Sequence, residues 1–122
     1  MKFILISLFF VFSQGSALVV KNNGDQIRLS NVELYQTSDQ PTTTLVCEFR
    51  GEELLLEIND LKRMNLKESM ERKKGITTWN ALLITNANEK YEVLIDFIEI
   101  RGINQDGKEE SYSSSIINKI SF

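Results

Sequence analysis

Apolar and polar residues alternate along most of this chain, the pattern of strands that bury one face. Leu45, Cys47 and Phe49 share one side of a strand, and Val46, Glu48 and Arg50 the other. The sequence Arg50-Gly51-Glu52 then reads as a tight turn into a second strand through Ile58. Asn22-Asn23-Gly24 and Asp106-Gly107 are hairpin signals, since these residues tolerate the positive φ angles of two-residue turns. The only proline, Pro41, lies in a polar stretch from Thr37 to Thr44 that reads as an exposed loop.

In two places the alternation slips. Ile27 and Leu29 give way to Val32 and Leu34, and Val93 and Ile95 give way to Ile98 and Ile100. A slip inside a strand predicts a bulge or corner, the device that lets one strand serve two sheet faces. Phe97 is the expected corner residue of the second slip. The ends of the two halves also echo each other. Gly51 leads through Leu56 to Leu61-Lys62-Arg63-Met64-Asn65-Leu66, and Gly107 leads through Tyr112 to Ile117-Asn118-Lys119-Ile120-Ser121-Phe122. Two related β halves, 18–66 and 76–122, follow if a gap is placed near 102–106.

Between the halves lies the one helix signal, over residues 66–74. Asn65 and Glu68 have capping-box spacing, and Glu68 and Arg72 form an i,i+4 pair. Lys73 and Lys74 suit a helix C-terminus, and Gly75 supplies a stop. Leu66 and Met70 give this element a narrow apolar stripe. The expected fold is therefore all-β and mainly antiparallel, barrel-like or a compact sandwich, with one short linking helix.

The N-terminus breaks the alternation altogether. Lys2 precedes a run from Phe3 to Phe12 interrupted only by Ser7, and Ser13-Gln14-Gly15-Ser16-Ala17 follows. Charge, short apolar run and small residues are the parts of a signal peptide, with Gly15 and Ala17 in the small positions of the cleavage site. Residues 1–17 are thus expected to be removed, leaving 18–122 as one small domain in the periplasm or outside the cell. The rival, an uncleaved anchor running on through Leu18, Val19 and Val20, is interrupted by Gln14 and the small residues. A lipoprotein would need a cysteine just after the run, and the only one is Cys47.

Composition narrows the function classes. The chain carries 14 basic and 17 acidic residues, and the leader takes only Lys2, so the mature form is the more acidic. Nucleic acid is a poor partner for such a surface, because phosphate binding needs clustered Lys and Arg. A single cysteine forms no internal disulfide, so the core must hold the fold. There is no Asn-x-Ser/Thr sequon for N-glycosylation.

Candidate chemistry is sparse. The chain has no histidine, which removes the commonest general base and metal ligand together. Cys47 reads as an inert core thiol. Glu52, Glu53 and Glu57, like Asp106, Glu109 and Glu110, cluster at hairpins and read as surface charge; a glycosidase would need two of them facing across a cleft. The stretch from Asn104 to Glu109 has only part of a calcium loop's oxygen series, with Lys108 inside it. Ser111, Ser113, Ser114 and Ser115 around Tyr112 suggest a polar binding edge, a Ser-Lys dyad or, as the default, a solvent-facing strand. Arg72, Lys73 and Lys74 read as a solvated helix end. Trp79, Tyr35, Tyr91 and Tyr112 are the aromatics that could line a ligand platform, with core packing the default for Trp79 and Tyr91.

No catalytic, cofactor-binding or metal-binding residue is assigned. The expectation is a non-catalytic binding or scaffolding module for a protein or glycan partner, with no membrane span after processing. The alternative is a small hydrolase using carboxylates or a Ser-Lys pair, which requires those groups to converge in a pocket.

Overall fold

The computed structural model describes residues 15–73 and 76–122, so most of the predicted leader, along with Lys74 and Gly75, lies outside the described residues. Ten strands are present among the described residues. They are β1 (Ala17–Lys21), β2 (Gln26–Tyr35), β3 (Thr44–Phe49), β4 (Glu52–Glu57), β5 (Leu61–Lys73), β6 (Ile76–Thr85), β7 (Lys90–Asp96), β8 (Glu99–Ile103), β9 (Glu109–Ser113) and β10 (Ile117–Ser121). All join one antiparallel sheet in the order β4-β3-β7-β6-β5-β10-β1-β2-β8-β9. No helix among the described residues is long and apolar enough to cross a membrane.

The predicted helix over 66–74 is absent from the described residues. Residues 66–73 belong to the long strand β5, and the only helical elements among the described residues are single 3-10 turns, Ile58–Asp60 and Ser114–Ile116. The cap and the charge pair favour a helix by only about 1 kcal/mol and a few tenths respectively. A two-turn helix with a two-residue apolar stripe is marginal even with them. Against this stands pairing with β6, which places Leu66 opposite Ala81, Ser69 opposite Trp79 and Met70 opposite Thr78. Three register shifts let β5 follow that partner. Tertiary pairing wins, and Met70, half of the expected stripe, is exposed.

Both phase slips mark turning points. In β2 the register shifts between Ser30 and Glu33, with Asn31 at φ 50°. Before that bulge β2 pairs with β1, and after it with β8. The slip keeps Leu29, Val32 and Leu34 all buried. At the second slip the chain breaks into β7 and β8, and Phe97, fully buried, is the corner. Its N–H donates to Thr77 O and that of Ile98 to Tyr35 O, which carries the chain from β6 across to β2.

One cluster gathers the buried side chains, including Leu45 and Cys47 from β3 and Ile100 from β8, near opposite ends of the strand order. The sheet therefore curls around a single core. Gln36 ties the approach. Its amide nitrogen donates to Val46 O at 3.0 Å and Asp96 O at 2.9 Å, and its oxygen accepts from Val46 N at 3.0 Å. A side chain here takes the place of a strand's backbone groups.

The connectivity has a two-fold pattern. Exchanging β1–β5 with β6–β10 turns the strand order into its own reverse. At its centre Ile120 faces Met64, flanked by Lys119 opposite Asn65 and Ser121 opposite Arg63. Ala17 faces Leu29 as Ala81 faces Val93. In the β1–β2 turn, Lys21 N–H donates to Asp25 O and Gly24 N–H to Lys21 O; in the β6–β7 turn, Thr85 pairs with Glu89 and Asn88 with Thr85 in the same way. Asn22 bonds Ile116 O and Ser115 O through its backbone and side chain, as Asn86 bonds Asp60 O and Asn59 O. Ala17, where the sequence ends the leader, is the first residue of β1 and is buried.

Candidate functional site

The predicted turns stand where expected. Arg50 at φ 53° and Gly51 at φ 84° join β3 to β4, and Gly24 at φ 95° joins β1 to β2. The segment from Asn104 to Lys108 is a hairpin turn, with Asn104 Oδ1 accepting from the N–H groups of Asp106 and Lys108. Among the described residues no three acidic or cysteine side chains gather as a metal site.

The two acidic clusters selected from the sequence lie apart, although Glu52 and Glu53 line one depression together. Glu52, Glu53 and Glu57 lie on β4, at one end of the strand order, and Glu109 and Glu110 lie on β9, at the other. Cys47 is buried, and desolvation pushes its thiol up to about 12, which leaves negligible thiolate at neutral pH. The serines do not form one solvent-facing row. Ser114 is buried and accepts a hydrogen bond from Trp79 Nε1–H at 3.0 Å, whereas Ser113 and Ser115 bond each other. Nor do the aromatics share a platform. Trp79 is in the core, Tyr91 meets Phe49 edge-on at 5.2 Å, and Arg101 lies over the Tyr35 ring at 4.2 Å. Tyr112 donates its hydroxyl to Glu110, and burial of the phenol is the main reason it is pushed up to about 12.

Two surface features remain, both unmarked by any motif. The first is the outward face of the β3–β4 hairpin. Val46 and Leu55 lie opposite each other, 47% and 57% exposed. Among the described residues β4 pairs with β3 alone, so its outer row of backbone groups faces no described strand. Carboxylates flank the apolar pair along the hairpin: Glu53 sits opposite Glu48, and Glu57 accepts from the Thr44 hydroxyl. A depression of about 280 Å3 between Val46, Glu53, Leu94 and Asp96 continues the acidic surface onto β7. The alternation of Leu55 with Glu53 and Glu57 was the available signal, and it reads equally as an ordinary amphipathic strand.

The second feature is an open cleft of about 410 Å3 at one end of the sheet. Val32, Ile58, Leu61 and Phe122 form its apolar lining, and Glu33 and Glu57 stand among its polar groups. It assembles from Gly15 and Ser16, β2, the Pro41 loop, the Ile58–Asp60 turn and Phe122, so no local pattern announces it. No family model, curated protein or solved structure matches the chain.

Proposed function

We propose that this protein is an exported, non-catalytic binding module built from two related β halves, and that it docks an extended cationic segment along β4. One observation carries the reading: an open edge strand presents an exposed Leu55–Val46 pair between Glu53 and Glu57 of the same strand. Strand addition supplies main-chain hydrogen bonds to such an edge, and alternate side chains supply the specificity. Exposed apolar residues beside a free edge are a liability in a protein that stays alone. The charge selects the occupant. A second copy is disfavoured, since β4 begins Glu52-Glu53 and the other open edge, β9, begins Glu109-Glu110. A strand alternating Lys or Arg with apolar residues meets both the carboxylates and the Val46–Leu55 pair. The apolar run before Ser13 supports export, with the partner outside the cytoplasm. Residues 1–17 are the proposed leader, with Gly15 and Ala17 in the small positions of the cleavage site.

A blocked Lys-Val-Lys-Val-Lys-Val-Lys peptide is expected to slow amide hydrogen exchange across β4 while leaving β9 unchanged. Leu55→Thr is expected to weaken its binding about fivefold, the effect of losing roughly half a leucine's burial. A peptide that protects no β4 amide overturns the docking reading. Recovery of the chain from the cytosol with residues 1–17 attached overturns export.

A further inference from the structure

From the cross-strand register we infer that the outer face of the central strands binds a linear acidic glycan, a chain of uronic acid units. The surface uses no residue of β4, and all of it lies within 18–122, so removal of the leader leaves its residues in the chain. The choice of a glycan among polyanions rests on the export reading, whereas the surface itself rests on the sheet alone.

One row of residues crosses six neighbouring strands. Lys90, Ile84, Arg63, Ser121, Leu18 and Arg28 each lie opposite the next. Directly opposed residues share a face. Met64, Ile120 and Val19, adjacent along β5, β10 and β1 to three members of the row, belong to the core cluster, so the row faces outward. The neighbouring row on the same face adds Lys119 on β10, opposite Asn65 on β5. With strands about 4.8 Å apart, Lys90 and Arg28 stand about 24 Å from each other across the sheet.

The charge on this face runs against the composition. In a chain with 14 basic and 17 acidic residues, four cations gather here from four strands. Arg28 and Lys90 are exposed, and Arg63 and Lys119 are half-buried. Among the described residues none of the four is in an ion pair. The one acid in the two rows is Glu92, opposite Leu82, and Lys67 stands 3.9 Å from it. Arg63 and Lys119 hold equivalent positions beside the Met64–Ile120 contact, so both halves place a cation at the same spot. Like charges held together raise the local potential, and a bound polyanion relieves it.

Shape and neighbours choose among polyanions. The sheet curls around its core, so this face is convex, and a flexible chain follows it where a flat bilayer touches only the crest. Val20 and Ile84, the apolar residues beside the cations, are buried and offer nothing to insert into lipid. No aromatic residue stands in either row, so single-stranded nucleic acid finds no platform for its bases. Between the cations lie Asn65 and Ser121, groups suited to sugar hydroxyls. Asn65 Oδ1 is buried and has no hydrogen-bond partner. The residue is half-buried, and a turn of its amide brings that oxygen to the surface, where a hydroxyl is the donor it lacks.

Hexagalacturonate is the probe, with neutral maltohexaose, a heptathymidylate strand and phosphatidylglycerol vesicles for comparison. In a 15N–1H titration of the folded protein at low salt, hexagalacturonate is expected to shift the amides of Arg28, Arg63, Leu82 and Lys119 saturably. The amides of Glu53 and Leu55 on β4 are expected to stay in place, as is the Trp79 indole resonance, which reports an intact fold. Added salt is expected to weaken binding, and maltohexaose to shift none of these amides. Arg63→Gln and Lys119→Gln are each expected to weaken binding about two- to fivefold, in keeping with exposed charge pairs. Glu92→Gln removes the one acid of the rows and is expected to tighten it. Absence of saturable shifts, or binding unchanged in the double Arg63→Gln, Lys119→Gln variant, overturns the surface. Tighter binding of the thymidylate strand or the vesicles at the same amides overturns the glycan as its occupant. None of these titrations depends on compartment, so glycan binding and export fail separately.

Discussion

Truncating Phe97 to alanine is expected to lower the unfolding free energy by about 3–5 kcal/mol, the range for emptying a phenylalanine-sized hole in a core. Phe97 is fully buried and heads the largest such side chains. Its position makes collapse of the hole difficult. The residue sits in the two-residue break between β7 and β8, and its neighbours bond outward in different directions, Phe97 N–H to Thr77 O and Ile98 N–H to Tyr35 O. Movement of the corner to fill the void therefore strains the link from β6 or the link to β2. For a domain whose total stability is about 5–15 kcal/mol, a loss of this size takes a large share of the total. Phe97→Leu keeps most of the volume and is expected to cost less than about 2 kcal/mol. Urea denaturation of both variants checks this, with an unchanged m-value showing that the exposed surface on unfolding is the same. A cost below about 1 kcal/mol for the alanine variant would show that the corner relaxes and that Phe97 does not brace it.

That corner was legible because the slip in apolar phase is a local signal with a structural meaning. The bulge at Asn31 was legible for the same reason, and so were the turns at Gly24, Gly51 and Gly107, where backbone geometry restricts the residue type. The helix was misread because Asn65, Glu68 and Arg72 encode only local preferences, whereas the partner strand that decides the outcome begins at Ile76. Ser114 shows a second limit. Its burial follows from a tryptophan distant in sequence, and a serine-rich stretch gives no hint of which hydroxyl turns inward. The candidate surfaces were the least legible. The exposed Leu55 differs from the half-buried Leu54 and Leu56 beside it only in the face it occupies on an edge strand. The cleft joins Val32, Ile58 and Phe122, which lie far apart in the sequence, so no local pattern marks it.

Met64→Ala and Ile120→Ala are expected to destabilise by about 2–5 kcal/mol each and by nearly equal amounts. Both side chains are fully buried, and the two residues face each other at the centre of the sheet order. An isologous contact has this form, in which a position meets its own counterpart and the flanking positions exchange partners. Arg63 faces Ser121 and Asn65 faces Lys119, the crossing that such a contact requires. If the β5–β10 seam is the junction of two related halves, removing either central side chain opens the same part of the core from opposite sides. The double variant is then expected to depart from additivity by about 0.5 kcal/mol or more, since the two truncations share one cavity. Combining Met64→Ala with Leu45→Ala, on the non-adjacent strand β3, supplies the contrast and is expected to be additive within about 0.5 kcal/mol. Met64→Ile places the same residue type on both sides of the seam and is expected to cost less than about 1.5 kcal/mol. Denaturant unfolding of this set decides the matter. Alanine costs at Met64 and Ile120 that differ by more than about 2 kcal/mol, or a strictly additive double variant, would show that the two-fold order of the strands is not matched by the energetics of the core.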